Sequence, residues 1–219
     1  VGLGLVAVMS GTRRPLNAAI TRFWSFAAPA YDADRLQRWI YRPAQDEMIS
    51  LLTARESSRV VDIACGTGIL AARIADEVQP DQIFGVDLSE GMLAQAALRS
   101  TAVRWLTAPA EQLPFEDGSL DAVVSTSAFH FFNQPAALRE FHRVLAPGGF
   151  AAVATFSPYQ PLPLRWLSAS RFNPSHIPSP ATMRRLFTDA GFGLDDQHRV
   201  RRPAWTRLLS DLITVGIKP

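Results

Sequence analysis

Short apolar runs rich in Val, Ile and Ala recur along the chain at 60–63, 83–86, 103–106, 122–124 and 151–155, and each reads as a buried strand. Between the first two, Leu70, Ile74 and Val78 recur every four residues with Arg73, Asp76 and Glu77 among them, the pattern of a helix with one buried stripe. A second helix is predicted to start at Ser89 as its cap and to bury Met92, Leu93, Ala96 and Ala97. A third is predicted from about Pro135 through Leu138, Phe141 and Leu145 to a turn at Pro147, Gly148 and Gly149. Towards the C-terminus, 182–190 reads as a helix ended by Gly191, and 194–200 and 212–217 as final strands.

Strands alternating with helices of this length imply right-handed crossovers, and hence an α/β fold: a doubly wound, mostly parallel seven-stranded sheet covered on both faces. Ligands of such sheets bind beyond the carboxyl ends of the strands, so the informative residues are 62–68, 87–88, 109–111 and 125–130. A length of 219 residues suits one domain. Its expected parts are N-terminal lid helices at 15–50, a core at 57–156, a Pro-rich lid insertion at 157–180, and a C-terminal helix and strands at 181–219. The first lid carries Phe23, Trp24, Phe26, Tyr31 and Trp39; the second has six prolines together with Tyr159, Trp166 and Phe172.

With 47% hydrophobic and 19% charged residues, the chain reads as globular with a large apolar interior or groove. Cys65 is the only cysteine, which excludes an internal disulfide and fits a cytoplasmic location. The net charge is +2, but Lys218 is the only lysine, and Arg165, Arg171, Arg184, Arg185, Arg199, Arg201, Arg202 and Arg207 crowd the last quarter. Such an end could rest peripherally against an anionic membrane; the plainer reading is a solvated face. No basic run is interleaved with aromatics, so no nucleic-acid partner is expected. Residues 1–8 are apolar but shorter than the ~20 residues of a membrane span, and no basic segment precedes them as in a secretory signal. Because the first Met is Met9, they are expected to be a start-site artefact or a frayed end.

The segment Val60-Val61-Asp62-Ile63-Ala64-Cys65-Gly66-Thr67-Gly68 is a strand running into a glycine turn and a helix. Gly66 and Gly68 leave backbone N–H groups bare, so a ligand can approach the chain directly. A dinucleotide pyrophosphate could use such a turn, but the G-x-G-x-x-G fingerprint needs a third glycine that is missing here. Asp87 ends the second strand and fits either kind of nucleoside, since an ionised carboxylate accepts both hydroxyl protons of a ribose.

VVDIACGTG, FGVDLSEGML, APAEQLPFEDGSLDAVV and LREFHRVLAPGGFAAVATFS, in that order, resemble class I S-adenosylmethionine-dependent methyltransferases. The chain looks closest to the methyltransferase type 11 group and the C-methyltransferases of ubiquinone and menaquinone biosynthesis. The resemblance covers 62–156, extends through LFTDAGF and GIKP, and touches the N-terminus at Ala30-Tyr31-Asp32. It implies a Rossmann-like fold and S-adenosyl-L-methionine as cofactor. Asp62 and the backbone at Ala64, Cys65, Gly66 and Gly68 would then hold the methionine part, with Thr67 beside it and Tyr31 reaching in from the first lid. Asp87 would bind the ribose, Leu88 and Met92 would pack on adenine, Ala110 and Glu111 would line its edge, and Thr126 would close the site. Pro109 departs from the pattern, as relatives carry Asp or Asn there, so adenine recognition should lean on the backbone at Ala110. Taken alone, Cys65 reads as a small buried hydrophobe rather than a nucleophile, Asp62 as a cap for local N–H groups, and Met92 as core.

The implied reaction is methyl transfer to a small, apolar or aromatic acceptor, at carbon or oxygen and in the manner of a quinone. Phe129, Phe131, Phe132 and the lids would supply a dry pocket. His130 is the candidate general base, with Tyr31 and His176 behind it, although a packed or capping histidine explains His130 equally well. Two alternatives stay open: an NAD-linked reductase, disfavoured because a Tyr-x-x-x-Lys pair is missing, and a cofactor-binding subunit without activity. An amino-directed DNA methyltransferase would need Asn/Asp-Pro-Pro-aromatic where 125–129 reads Ser-Thr-Ser-Ala-Phe. No metal is expected, since Asp121 stands alone where a catechol-type enzyme needs several carboxylates.

Overall fold

The computed structural model describes residues 41–157, 177–202 and 211–219. Within them the helices are α1 (Arg42–Ala54), α2 (Ile69–Glu77), α3 (Glu90–Arg99), α4 (Gln134–Val144) and α5 (Pro180–Asp189). The strands are β1 (Arg59–Ile63), β2 (Gln82–Asp87), β3 (Arg104–Thr107), β4 (Leu120–Thr126), β5 (Leu145–Phe156), β6 (Gly193–Arg199) and β7 (Asp211–Ile217). They form one seven-stranded sheet in the order β3-β2-β1-β4-β5-β7-β6. The first five are parallel, and β7 runs antiparallel to both β5 and β6. Chain order reverses between β1 and β4, so the crevice expected of a doubly wound sheet lies beyond their carboxyl ends.

Both faces of the sheet are covered, which is why the strands read as continuous apolar runs. Val60, Ala122 and Val124 pack with Met48 and Leu52 of α1 and with Leu70 and Ile74 of α2. Val61, Ile63 and Val123 point the other way, to Leu138 and Phe141 of α4 and Met183 and Phe187 of α5. Side-chain caps start two helices: Ser89 Oγ accepts from the Met92 N–H at 3.2 Å and Ser179 Oγ from the Thr182 N–H at 3.1 Å.

Two expectations are corrected. Pro147, Gly148 and Gly149 do not end a helix in a turn; α4 stops at Val144 and these residues lie inside β5. Gly148 has φ +80° and the register slips between Leu120 and Ala122, so the strand bulges there. The tail of the chain supplies the missing partners: the Gly148 N–H donates to the Lys218 carbonyl and the Lys218 N–H to the Gly149 carbonyl, both at 2.8 Å. Residues 42–50, expected in the first lid, belong to the core layer, because Ala44, Met48, Ile49 and Leu52 of α1 are buried on the sheet. The rest of that lid up to residue 40, and residues 158–176 of the second, lie outside the described residues.

Candidate active site

At the end of β1 the chain bends through Ala64 (φ +56°), Gly66 (φ +56°) and Gly68 (φ +77°) into α2. A left-handed alanine costs about 1–2 kcal/mol, and Ser127, directly after β4, is also left-handed at φ +58°. Both strands flanking the crevice therefore leave the sheet through a strained residue, a placement typical of ligand sites. The bend is tied down from several sides. The Cys65 N–H donates to the Val86 carbonyl at 3.1 Å, Ser125 Oγ bridges β4 to the Ile63 carbonyl at 2.9 Å, and Arg99 Nε holds the Thr67 carbonyl at 2.9 Å.

The two glycines of the bend have different reasons. A Cβ placed on Gly66 meets nothing within 4 Å, whereas one on Gly68 would fall 2.5 Å from Trp105 Cη2 and 2.8 Å from Ala96 Cβ. On the Cβ side Gly66 is open and Gly68 is closed by an indole of its own chain. Contrary to expectation, neither N–H is bare: that of Gly66 donates to Asp87 Oδ2 and that of Gly68 to the Cys65 carbonyl at 3.0 Å.

Asp87 sits where β2 ends. Its Oδ2 accepts from the Gly66 N–H at 2.9 Å and its Oδ1 from the Ser89 N–H at 2.8 Å, so each oxygen keeps acceptor capacity for a hydroxyl. Burial raises its pKa, against backbone hydrogen bonds from Ser89, Gly66 and Leu88. Asp62 is 1% exposed. It accepts a backbone hydrogen bond from Ala71 in the first turn of α2, so it does cap local N–H groups. Its Oδ2, however, has no partner among the described residues. Burial pushes this carboxyl well above the usual carboxylate range, and the Asp87 charge adds to the effect. A buried acceptor without a donor costs about 1–3 kcal/mol; a ligand carrying an ammonium group would relieve it.

Leu88, beside Asp87, is 37% exposed and offers an apolar face. Met92 is only 4% exposed and lies on the buried stripe of α3. Ala110 is buried, and Glu111 Oε1 accepts from the Asn133 N–H at 2.6 Å, committing that carboxylate to the start of α4. Thr126 ends β4, half-buried and in register with Ala154. Thr67 is buried, its carbonyl held by Arg99. Cys65 is half-buried, and burial, then Asp62 and Asp87, push its thiol pKa well up, as a packing role requires. Tyr31 and His176 lie outside the described residues.

His130 occupies the short 3-10 turn Phe129–Phe131 that follows β4. Its ring lies against Phe131 with centroids 4.0 Å apart, and its buried Nδ1 has no partner among the described residues. Burial lowers its pKa to about 4, so the imidazole is neutral at pH 7 but a weak base. Phe129 is fully buried in the core against Phe132, ring centroids 5.8 Å apart, so it cannot line a pocket. Asp121 belongs to the opposite end of β4, where Arg59 Nη2 meets it at 2.6 Å. Lys218 Nζ donates to the Leu145 carbonyl at 2.7 Å, also away from the crevice.

Residue-type reasoning missed Arg99 and Trp105. Trp105 alone left a signal, since a glycine inside a strand, here Gly85, marks the close approach of another group.

A family model described as a methyltransferase domain matches residues 60–149. A demethylmenaquinone methyltransferase of Thermus thermophilus is 37% identical over 147 residues, 62% of this chain and 64% of that protein. A malonyl-acyl-carrier-protein O-methyltransferase of Dechloromonas aromatica is 32% identical over 191 residues, 85% of this chain and 70% of that protein. The chain thus covers less than two thirds of the Thermus relative's length. Among solved structures, the magnesium protoporphyrin IX methyltransferase of Synechocystis PCC 6803, with SAH bound, superposes with a TM-score of 0.72 at 16% identity. That match covers 93% of this chain and 100% of the other, and concerns the fold.

Proposed function

The chain belongs to the class I S-adenosylmethionine-dependent methyltransferases, and on that premise we propose that it transfers the methyl group of S-adenosylmethionine to a small, apolar or aromatic acceptor. The observation that supports this most is the Asp87 carboxylate, held by the Gly66 and Ser89 N–H groups beside a glycine whose open side faces free space. The residues fit the cofactor. Asp87 suits the ribose hydroxyls, Leu88 and Ala110 the adenine, and the orphaned Asp62 Oδ2 with the backbone at 64–66 the charged amino-acid tail. When bound, the cofactor supplies a sulfonium methyl already activated for displacement. What remains for the protein is alignment, which can supply about 7–11 kcal/mol of the barrier, and exclusion of water. Calorimetry should show S-adenosylhomocysteine binding and no NADH binding; the reverse result would reinstate the reductase.

The acceptor is read more finely as a quinone-like ring, methylated at carbon or oxygen. The two relatives are named for different acceptors at similar identity, so relationship does not choose between them. The half-buried His130 and Phe131 after β4 support the ring: an aromatic face beside one ring nitrogen with spare hydrogen-bonding capacity. Turnover of labelled cofactor over quinols, phenols, fatty acids and malonyl thioesters tests this, and methylation of the thioesters alone would exclude it. A binding protein without activity would turn over none of them.

With a pKa of about 4, His130 suits a hydrogen bond that orients the acceptor better than proton removal. His130→Asn, which retains a polar atom near Nδ1, is expected to keep kcat within about threefold. His130→Ala should lose about tenfold, with S-adenosylhomocysteine affinity unchanged in both. A general base would instead make the two variants equally poor, by about 100-fold or more.

Peripheral contact with anionic lipid has narrow support. Among the described arginines, Arg184 donates to Gln197 Oε1 at 2.9 Å, Arg199 to the Ser157 carbonyl at 2.6 Å, and Arg202 pairs with Asp211 in the interior. Arg185 and Arg201 remain exposed. No helix among the described residues is long and apolar enough to cross a membrane. Co-sedimentation with anionic vesicles at low salt decides the matter, and protein left in the supernatant would end this part of the reading.

A further inference from the structure

Trp105 lies on β3, two strands away from the bend that follows β1, yet its indole reaches that bend. The path runs over Gly85, which is Trp105's partner in the β2–β3 register. A Cβ on Gly85 would overlap Cζ3 and Cε3 of the indole, and would also lie 3.1 Å from Cys65 Sγ. Beyond Gly85 the ring closes on Gly68, where Cζ3 stands 3.0 Å from a notional Cβ. Nε1 fixes the ring by donating to the Ser100 carbonyl at 3.0 Å. The neighbouring Arg99 holds the Thr67 carbonyl from the same helix end. The bend is therefore supported by an indole at Gly68 and open at Gly66.

We propose that Trp105 is a positioning residue that sets the height of this bend for the cofactor's amino-acid tail, with Gly85 as the gap through which it acts. The inference rests on the methyltransferase reading above. A flat, rigid ring with its N–H pinned leaves the bend one position to rest in, so less ordering is needed when the tail binds. Trp105 itself touches no reactant, and its effect reaches the ligand through the Gly66 backbone and the Asp87 contact to it.

Calorimetry with two ligands tests this: S-adenosylhomocysteine, and 5′-methylthioadenosine, which has the nucleoside and sulfur without the amino-acid tail. Trp105→Leu should weaken the first about tenfold and leave the second within about twofold. Gly85→Ala, whose methyl displaces the ring, should act in the same direction and carries the test alone if Trp105→Leu does not fold. Gly85→Ala/Trp105→Leu should bind no worse than Gly85→Ala, because the overlap is gone. Amide exchange should quicken at 64–70 and not elsewhere. Equal weakening of both ligands, or unchanged affinity for the first, overturns the proposal. If Asp87→Ala loses S-adenosylhomocysteine while Trp105→Leu keeps it, positioning alone fails; if the parent protein does not bind it, the methyltransferase reading fails as well.

Discussion

Asp87→Ala protein is expected to bind S-adenosylhomocysteine at least about 100-fold more weakly than the parent, while melting within a few degrees of it. Hydrogen bonds to a charged acceptor contribute about 1.5–3 kcal/mol each, and a ribose offers two. The carboxylate also orders the bend, through the Gly66 N–H, and the turn into α3, through the Ser89 N–H. Its loss therefore removes both the contact and part of the preorganisation. Stability responds differently. Burial raises the pKa of Asp87 and, further, of Asp62, whose carboxyl feels the Asp87 charge. Folded pKa values above the unfolded ones mean that the folded chain binds more protons, so these groups favour folding most at acid pH and progressively less as pH rises through their folded values. Removing Asp87 lifts that burden from the free protein and offsets the lost backbone contacts. The same linkage predicts that the rise in melting temperature given by S-adenosylhomocysteine, whose tail carries an ammonium, grows as pH rises through the folded value of Asp62. Undiminished affinity in Asp87→Ala, or a pH-independent rise, would contradict the account.

The parallel half of the fold was legible because both faces of its strands are buried, so that runs such as 83–86 carry the signal of a covered strand without help from neighbours. Helix starts were legible for the same local reason: Ser89 needs only the backbone three residues on. What misled were residues whose partners are distant. Pro147 and Gly148 look like a helix stop in isolation, and the strand continues through them only because Lys218, some seventy positions later, provides a donor and an acceptor. Position along the chain alone suggests a lid for residues 42–50, whereas the buried Ala44, Met48 and Leu52 of α1 show what the packing demands.

Within the site, the sequence pattern located the backbone bend and Asp87, since a strand end followed by glycine has few other uses. It could not divide labour between the glycines, because the indole that fills the space at Gly68 comes from β3 and only the register of Gly85 with Trp105 brings it there. Nor does residue type alone show how far burial shifts an imidazole, which at His130 lowers the pKa to about 4. The phenylalanines around it illustrate the same limit: Phe129 belongs to the core and Phe131 flanks the histidine, a difference set by two steps in a 3-10 turn.

Arg202→Met is expected to destabilise the protein by about 3–5 kcal/mol at pH 7 and by much less at pH 5. The side chains of Arg202 and Asp211, which flank residues 203–210, are 2% and 5% exposed and form an ion pair. Burial raises the pKa of Asp211 to about 6, with Arg202 opposing the rise. An aspartate with a folded pKa above its unfolded one favours folding fully only at acid pH, and that advantage drains away as pH climbs from about 4 to 6, by about 3 kcal/mol for a shift of this size. Arg202 is the group that opposes the burial of Asp211, so without it the folded pKa rises further and a charged Asp211 at pH 7 becomes costly. At pH 5 the carboxyl is protonated when folded, and the missing guanidinium matters little. Urea unfolding at the two pH values measures the difference, and Arg202→Met/Asp211→Asn should recover most of the loss at pH 7, because the charge left behind is then removed too. If Arg202→Met were equally costly at both pH values, or the double variant no better than the single one, the guanidinium would be acting as packing and not as the counter-charge of Asp211.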